Sequence, residues 1–178
     1  MDMFVFVEES GSDNRDALRK YGYSLRGQPA KAVSLFPRGK HLSAIAAMCC
    51  DGVLGCQIRE GGVNSEAFQS FLDMELASKL LPFNGINPRS IVVMDNASIH
   101  HADQLTSSLE DLGVLVYFLP PYSPDLNPIE ELFSKVKSVM KANEYVLEDY
   151  DLETSILCGF MSVTSADCVS WINHSGYY

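Results

Sequence analysis

Two acids with 34 residues between them are the groups in this chain best placed to do chemistry. Asp95 closes a short apolar run, Ile91 to Met94, and passes into Asn96-Ala97-Ser98. Glu130 follows a proline-punctuated turn, Pro120 to Pro128, and opens a stretch with helical periodicity. Carboxylates at a strand end and a helix start suit a divalent-metal site for phosphoryl transfer. Mg²⁺ takes hard oxygen ligands in near-octahedral geometry, from a few carboxylates together with water and substrate phosphate. Each acid singly has a commoner structural use. An Asp after a strand often makes a turn or cap, and Pro-Ile-Glu-Glu is an ordinary helix opening with acids near the positive dipole end. Together they form a longer pattern: Asp-Asn-x-x-x-His (Asp95, Asn96, His100), then Ser-Pro-Asp-Leu-Asn-Pro-Ile-Glu from Ser123 to Glu130.

The elements that must carry these residues follow from periodicity and punctuation. Met3 to Val7 is apolar, β-branched and aromatic, and reads as a buried strand that ends in Glu8-Glu9-Ser10-Gly11. Asp13 to Lys40 is broken by glycines and prolines and reads as an extended connection. Apolar runs His41 to Cys50 and Val53 to Arg59 flank Asp51-Gly52, a hairpin signal. Asn64 or Ser65 then caps a helix whose apolar positions run from Phe68 to Leu81. Strand Ser90 to Met94, helix Ala102 to Leu112, strand Val114 to Leu119 and helix Ile129 to Lys141 follow, with Asp151 to Met161 and Ser165 to Asn173 as two further short helices. The order predicts an α/β chain, with an antiparallel hairpin beside parallel crossovers, in about five strands flanked by helices.

The motif resembles the catalytic core of the mariner superfamily of cut-and-paste DNA transposases and their bacterial insertion-sequence relatives, from about Met3 to about Ala142. The resemblance implies a ribonuclease H-like mixed sheet and a DDE triad of acids. In the family the first strand usually ends in Asp-Glu-Ser/Thr-Gly; here Glu8 stands in the first position and Glu9 matches the following acid. The extra methylene displaces the carboxylate by about 1.5 Å on a fixed backbone, a large step where two ions sit only about 3.5–4 Å apart. By resemblance, Glu8, Asp95 and Glu130 are the catalytic and metal-binding acids for Mg²⁺ or Mn²⁺, as two ions. Asn96 and His100 would steady the central acid or touch the scissile strand. Asp125 and Asn127 would fix the turn that aims Glu130, and Glu131, about 100° further round the helix, would point elsewhere. The implied partners are double-stranded DNA, as transposon ends and target, and a second copy of the chain; no membrane or small-molecule substrate is implied.

Residues 1–142 are thus expected to form the catalytic domain, and residues 143–178 a helical extension packed on it. Family members carry helix-turn-helix modules ahead of this domain, and this chain begins almost at the first strand. The expected activity is metal-dependent DNA cleavage and strand transfer. The Glu8 departure and the overall acidity keep a second reading open, an impaired or domesticated derivative that binds DNA or protein. A third, another ribonuclease H-like nuclease such as a junction resolvase, fits Ser123 to Glu130 less well.

Charge bears on the same question. The net charge is −10, yet residues 15–41 carry +6, leaving −16 on the rest. Arg15, Arg19, Lys20, Arg26 and Lys31 in this arm are candidate phosphate contacts, and Tyr21 and Tyr23 can either stack on bases or pack beneath a loop. Five cysteines without a C-x-x-C pair argue against a zinc or disulfide framework and for a reducing compartment. No basic leader precedes an apolar run at the N-terminus. The expected location is nuclear in a eukaryote or cytoplasmic in a bacterium.

Overall fold

The computed structural model describes residues 1–13, 23–30, 41–97, 103–142 and 151–178. Five strands form one sheet in the order β3-β2-β1-β4-β5. β1 (Phe4–Ser12), β2 (Leu42–Cys49) and β3 (Gly52–Glu60) make an antiparallel half. β4 (Ile91–Met94) pairs parallel with β1, and β5 (Leu115–Phe118) parallel with β4.

Strand alternation splits the core in two. Phe6 of β1, Ala44, Ala46 and Met48 of β2, and Ile91 and Val93 of β4 face one side. There they meet Ile129, Leu132, Phe133, Val136 and Met140 of α3 (Ile129–Ala142), Ile156 and Phe160 of α4 (Leu152–Met161), and Cys168 and Ile172 of α5 (Ser165–His174). Val5, Val7, Ile45, Val92 and Met94 face the other side, against Phe68 and Phe71 of α1 (Ser65–Phe71) and Leu109 of α2 (Asp103–Asp111). The period-2 pattern of a strand buried on both faces produces this three-layer arrangement.

The first strand is longer than its apolar run predicts. It continues past Val7 to Ser12 because β2 supplies partners for each added residue, from Glu8 opposite Ala46 to Ser12 opposite Leu42. Glu8 therefore sits within β1 rather than beyond its end. Asn64 caps α1, accepting from the Ala67 amide at 3.0 Å. The helix predicted from a cap at Asn64 or Ser65, with apolar positions to Leu81, stays regular only to Phe71, then widens over Leu72–Leu76 and tightens over Ala77–Lys79. That adjustment keeps Leu72 and Leu76 in the core. Gly159 lets α4 close on α3, because a Cβ there would lie 2.7 Å from Val136 Cγ1 and 3.1 Å from its Cα.

Candidate active site

The parallel pairing of β1 and β4 runs from Phe4 opposite Ile91 to Val7 opposite Met94. Glu8 is the next residue of β1 and Asp95 the first residue past β4, so the shared register places both at the end of this pairing. Alternation turns Glu8 to the side of Phe6 and Asp95 to the side of Val93, the face that α3 covers. Glu130 lies in the first turn of that helix. Glu9, on the alternate face, turns away.

Asp95 also shapes its own surroundings. Its Oδ1 accepts from the Ala97 amide at 2.9 Å, an Asx turn that leads the chain off the sheet. The loop between β5 and α3 closes the site from the other side. Pro120, Pro121 and Pro124 stiffen it, and Tyr122 between them adopts φ 59° with its side chain in solvent. A non-glycine residue in the left-handed region carries backbone strain that the surrounding structure must hold. A short turn, Pro124–Leu126, then delivers Asn127.

Asn127 joins the two ends of the site. Its carbonyl accepts from the Glu130 amide at 3.1 Å, which sets the start of α3. Its Nδ2 donates to Glu8 Oε2 at 3.1 Å in the buried interior. Glu8 Oε1 accepts from the Glu9 amide at 3.1 Å. Asn127 is 3% exposed, and its Oδ1 is buried with no hydrogen-bond partner.

Asp95, Asn96, Tyr122, Asn127 and Glu130 line a cleft of about 360 Å³. Glu8 is not part of its wall; it is 6% exposed and reaches the site through Asn127. Desolvation by neighbouring atoms raises the Glu130 pKa, the Lys137 ammonium pulls it back down, and the Asp95 carboxylate pushes it up. The residues fit a hard divalent cation on their chemistry: two carboxylates open to one cleft, a third joined to it through Asn127, and a buried amide oxygen with no partner. Among the described residues, the trio of metal-type ligands within 4.8 Å of one another is Cys49, Cys50 and Asp51 at the β2–β3 turn, so the three acids are more widely spread than that. Burial raises the pKa of both thiols and keeps them protonated.

The family model for the DDE superfamily endonuclease matches residues 3–153. The chain belongs to this family. Solved structures similar to the domain share its ribonuclease H-like sheet. A pre-cleavage Mos1 transpososome superposes with a TM-score of 0.62 at 21% identity, covering 99% of this chain and 57% of that one. The Mos1 mariner paired end complex with Mn gives 0.62 at 22%, over 98% of this chain and 56% of that one. The catalytic domain of Mos1 mariner transposase gives 0.55 at 18%, over 99% and 84%. The DDE domain thus spans a little over half the length of the first two. No curated protein matches its sequence.

The sequence-predicted residues separate on this framework. Asp95, Asn96, Asn127 and Glu130 meet in the cleft, and Glu8 joins them by its bond to Asn127. Asp125 is exposed in the short turn and stays off the cleft wall. Arg26 and Tyr23 are exposed in residues 23–30, so Tyr23 does not pack beneath a loop. His100, Arg15, Arg19, Lys20, Lys31 and Tyr21 lie outside the described residues. Sequence reasoning passed over Tyr122 and Lys137. The signal for Lys137 was its position seven residues, two helical turns, after Glu130.

Proposed function

We propose that this domain cleaves DNA and transfers strands as the catalytic domain of a mariner-type transposase. The observation that carries the reading is the cleft shared by Asp95 and Glu130, with Glu8 tied to it through Asn127; the register of β1 and β4, which ends just before Glu8 and Asp95, supports it. The DDE endonuclease family and the structural neighbours, among them Mos1 paired end complexes with Mn and with Mg, support it. Asp95 and Glu130 would hold the divalent cation from the cleft, and Glu8 would complete the set from the interior. A bound Mg²⁺ or Mn²⁺, in the reading we favour a pair, supplies Lewis acidity at the reacting phosphate.

The chain's own residues do the positioning. The Asx turn at Asp95 fixes its carboxylate through the Ala97 amide bond to Oδ1. Asn127 fixes both the Glu8 carboxylate and the helix start beneath Glu130. The strained proline-rich loop holds Tyr122 at the rim, where an aromatic face can meet an unstacked base. Transposon-end and target DNA, and a second copy of the chain, are the partners this reading assigns, by likeness to complexes with paired ends.

A specific observation favours the second reading, a catalytically impaired module: Glu8 stands where the family has Asp and is committed to two hydrogen bonds inside the fold. Mn²⁺-dependent nicking of plasmid DNA by the chain, by Glu8→Asp and by Asp95→Ala tests both. Nicking by the chain that Asp95→Ala abolishes supports the enzyme. Nicking only by Glu8→Asp supports the impaired module.

A further inference from the structure

A second depression, of about 400 Å³, borders Glu130 and runs along α3. Ser10, Glu130, Ser134, Lys137, Ser138 and Lys141 line it. At 100° per residue, the four later α3 positions lie within about 80° of the direction of Glu130, so they form one stripe about 16 Å long. Ser10, two residues after Glu8, lies on the same face of β1 and continues the stripe onto the sheet.

The charges along the stripe are available. Lys135, around the helix, is ion-paired to Asp167 at 2.6 Å, and Lys79 to Glu75 at 3.9 Å. No ion pair joins Lys137 or Lys141 to an acid among the described residues. Both are half-buried, a setting in which a lysine can lay its stem along the surface and keep its ammonium group in reach of a ligand; the Lys137 charge also acts on Glu130. In a chain of net charge −10, two unpaired lysines beside a carboxylate site are an economical way to admit a polyanion without making the whole surface basic.

We propose that this α3 stripe is a phosphodiester track: Lys137 and Lys141 each hold a phosphate of the DNA strand whose scissile phosphate lies at Asp95 and Glu130, with Ser134 and Ser138 as hydroxyl donors between them. The lysines are one turn apart, about 6 Å along the axis, so one extended strand can touch both. The proposal rests on the DNA-cleaving reading and deepens it by naming the surface and direction of approach.

The test is the salt dependence of binding to a short DNA duplex, followed by anisotropy in Ca²⁺ to prevent cleavage. Each phosphate contact contributes about 0.9 to the slope of log K against log salt, so Lys137→Gln/Lys141→Gln should flatten the slope by about 2, and Lys135→Gln should leave it unchanged. A double variant with the parent slope overturns the track. So does an equal flattening by Lys135→Gln, which would reduce the effect to bulk charge, and so does a parent chain that binds no DNA at low salt. The DNA-cleaving reading fails separately, if Asp95→Ala nicks plasmid as well as the parent chain does.

Discussion

Asn127 Nδ2 donates to Glu8 Oε2 at 3.1 Å, across 119 residues of sequence. The bond ties the loop before α3 to the middle of the sheet, and with it the third acid to the first. It also accounts for how the Glu8 side chain is housed. The longer side chain is retained in the interior, between the Glu9 amide and the Asn127 amide.

Removing that donor should cost stability and function together. Asn127→Ala removes one donor from the buried Glu8 carboxylate, a loss of about 1–3 kcal/mol, visible as a lower urea midpoint. Mn²⁺ affinity should fall in the same variant. In a Glu8→Gln background, Asn127→Ala should weaken Mn²⁺ less than it does in the parent, because part of its effect on the ion runs through Glu8.

Glu130 carries the opposite sign. Its pKa is raised by desolvation, held down by Lys137 and pushed up by Asp95. An acid whose folded pKa lies above its unfolded value destabilises the fold once pH exceeds both. Stability from this group is present at low pH and lost as pH rises through the folded pKa. Glu130→Gln should therefore melt at or above the parent temperature at pH 7 while losing Mn²⁺-dependent nicking. Lys137→Gln should move the pH at which Mn²⁺ binding appears upward.

Much of this arrangement was legible in the chain. The β4 and α3 carriers of Asp95 and Glu130 follow from an apolar run and from 3.6-residue periodicity, both local signals. The length of β1 was not legible, because Glu8 to Ser12 are strand only through pairing with β2, and no apolar pattern marks them. Nor was the reach of Asn127: loop chemistry marks it as a turn residue, and its partner lies 119 positions away. The widened turn at Leu72–Leu76 was hidden for a related reason, since it serves packing against the sheet rather than any preference of its residues.

A histidine pair ties α5 to α3 beside the site. His174 Nδ1 lies 2.6 Å from Glu131 Oε1, and the bond and charge of Glu131 raise the His174 pKa. A raised histidine pKa gives stability that is full below the unfolded value and lost as pH rises through the folded one. His174→Asn should therefore lower the melting temperature at pH 5.5 more than at pH 8.5. Equal losses at both values would mean that the pair contributes packing alone.

The α3–α4 contact should tolerate no added methyl. Gly159→Ala places a Cβ against Val136 Cγ1 at 2.7 Å and against its backbone at 3.1 Å. Overpacking of this kind costs about 1–3 kcal/mol. Val136→Ala should recover only part of that loss, because the backbone contact remains.

Mn²⁺ binding measures the central claim most directly, that Asp95 and Glu130 hold a divalent cation in the cleft between β4 and α3. Calorimetric titration of the parent chain and of Asp95→Ala/Glu130→Ala, with melting curves to confirm both are folded, settles it. The account predicts binding in the parent and at least a tenfold loss in the double variant. A folded double variant that binds Mn²⁺ as tightly as the parent would contradict it.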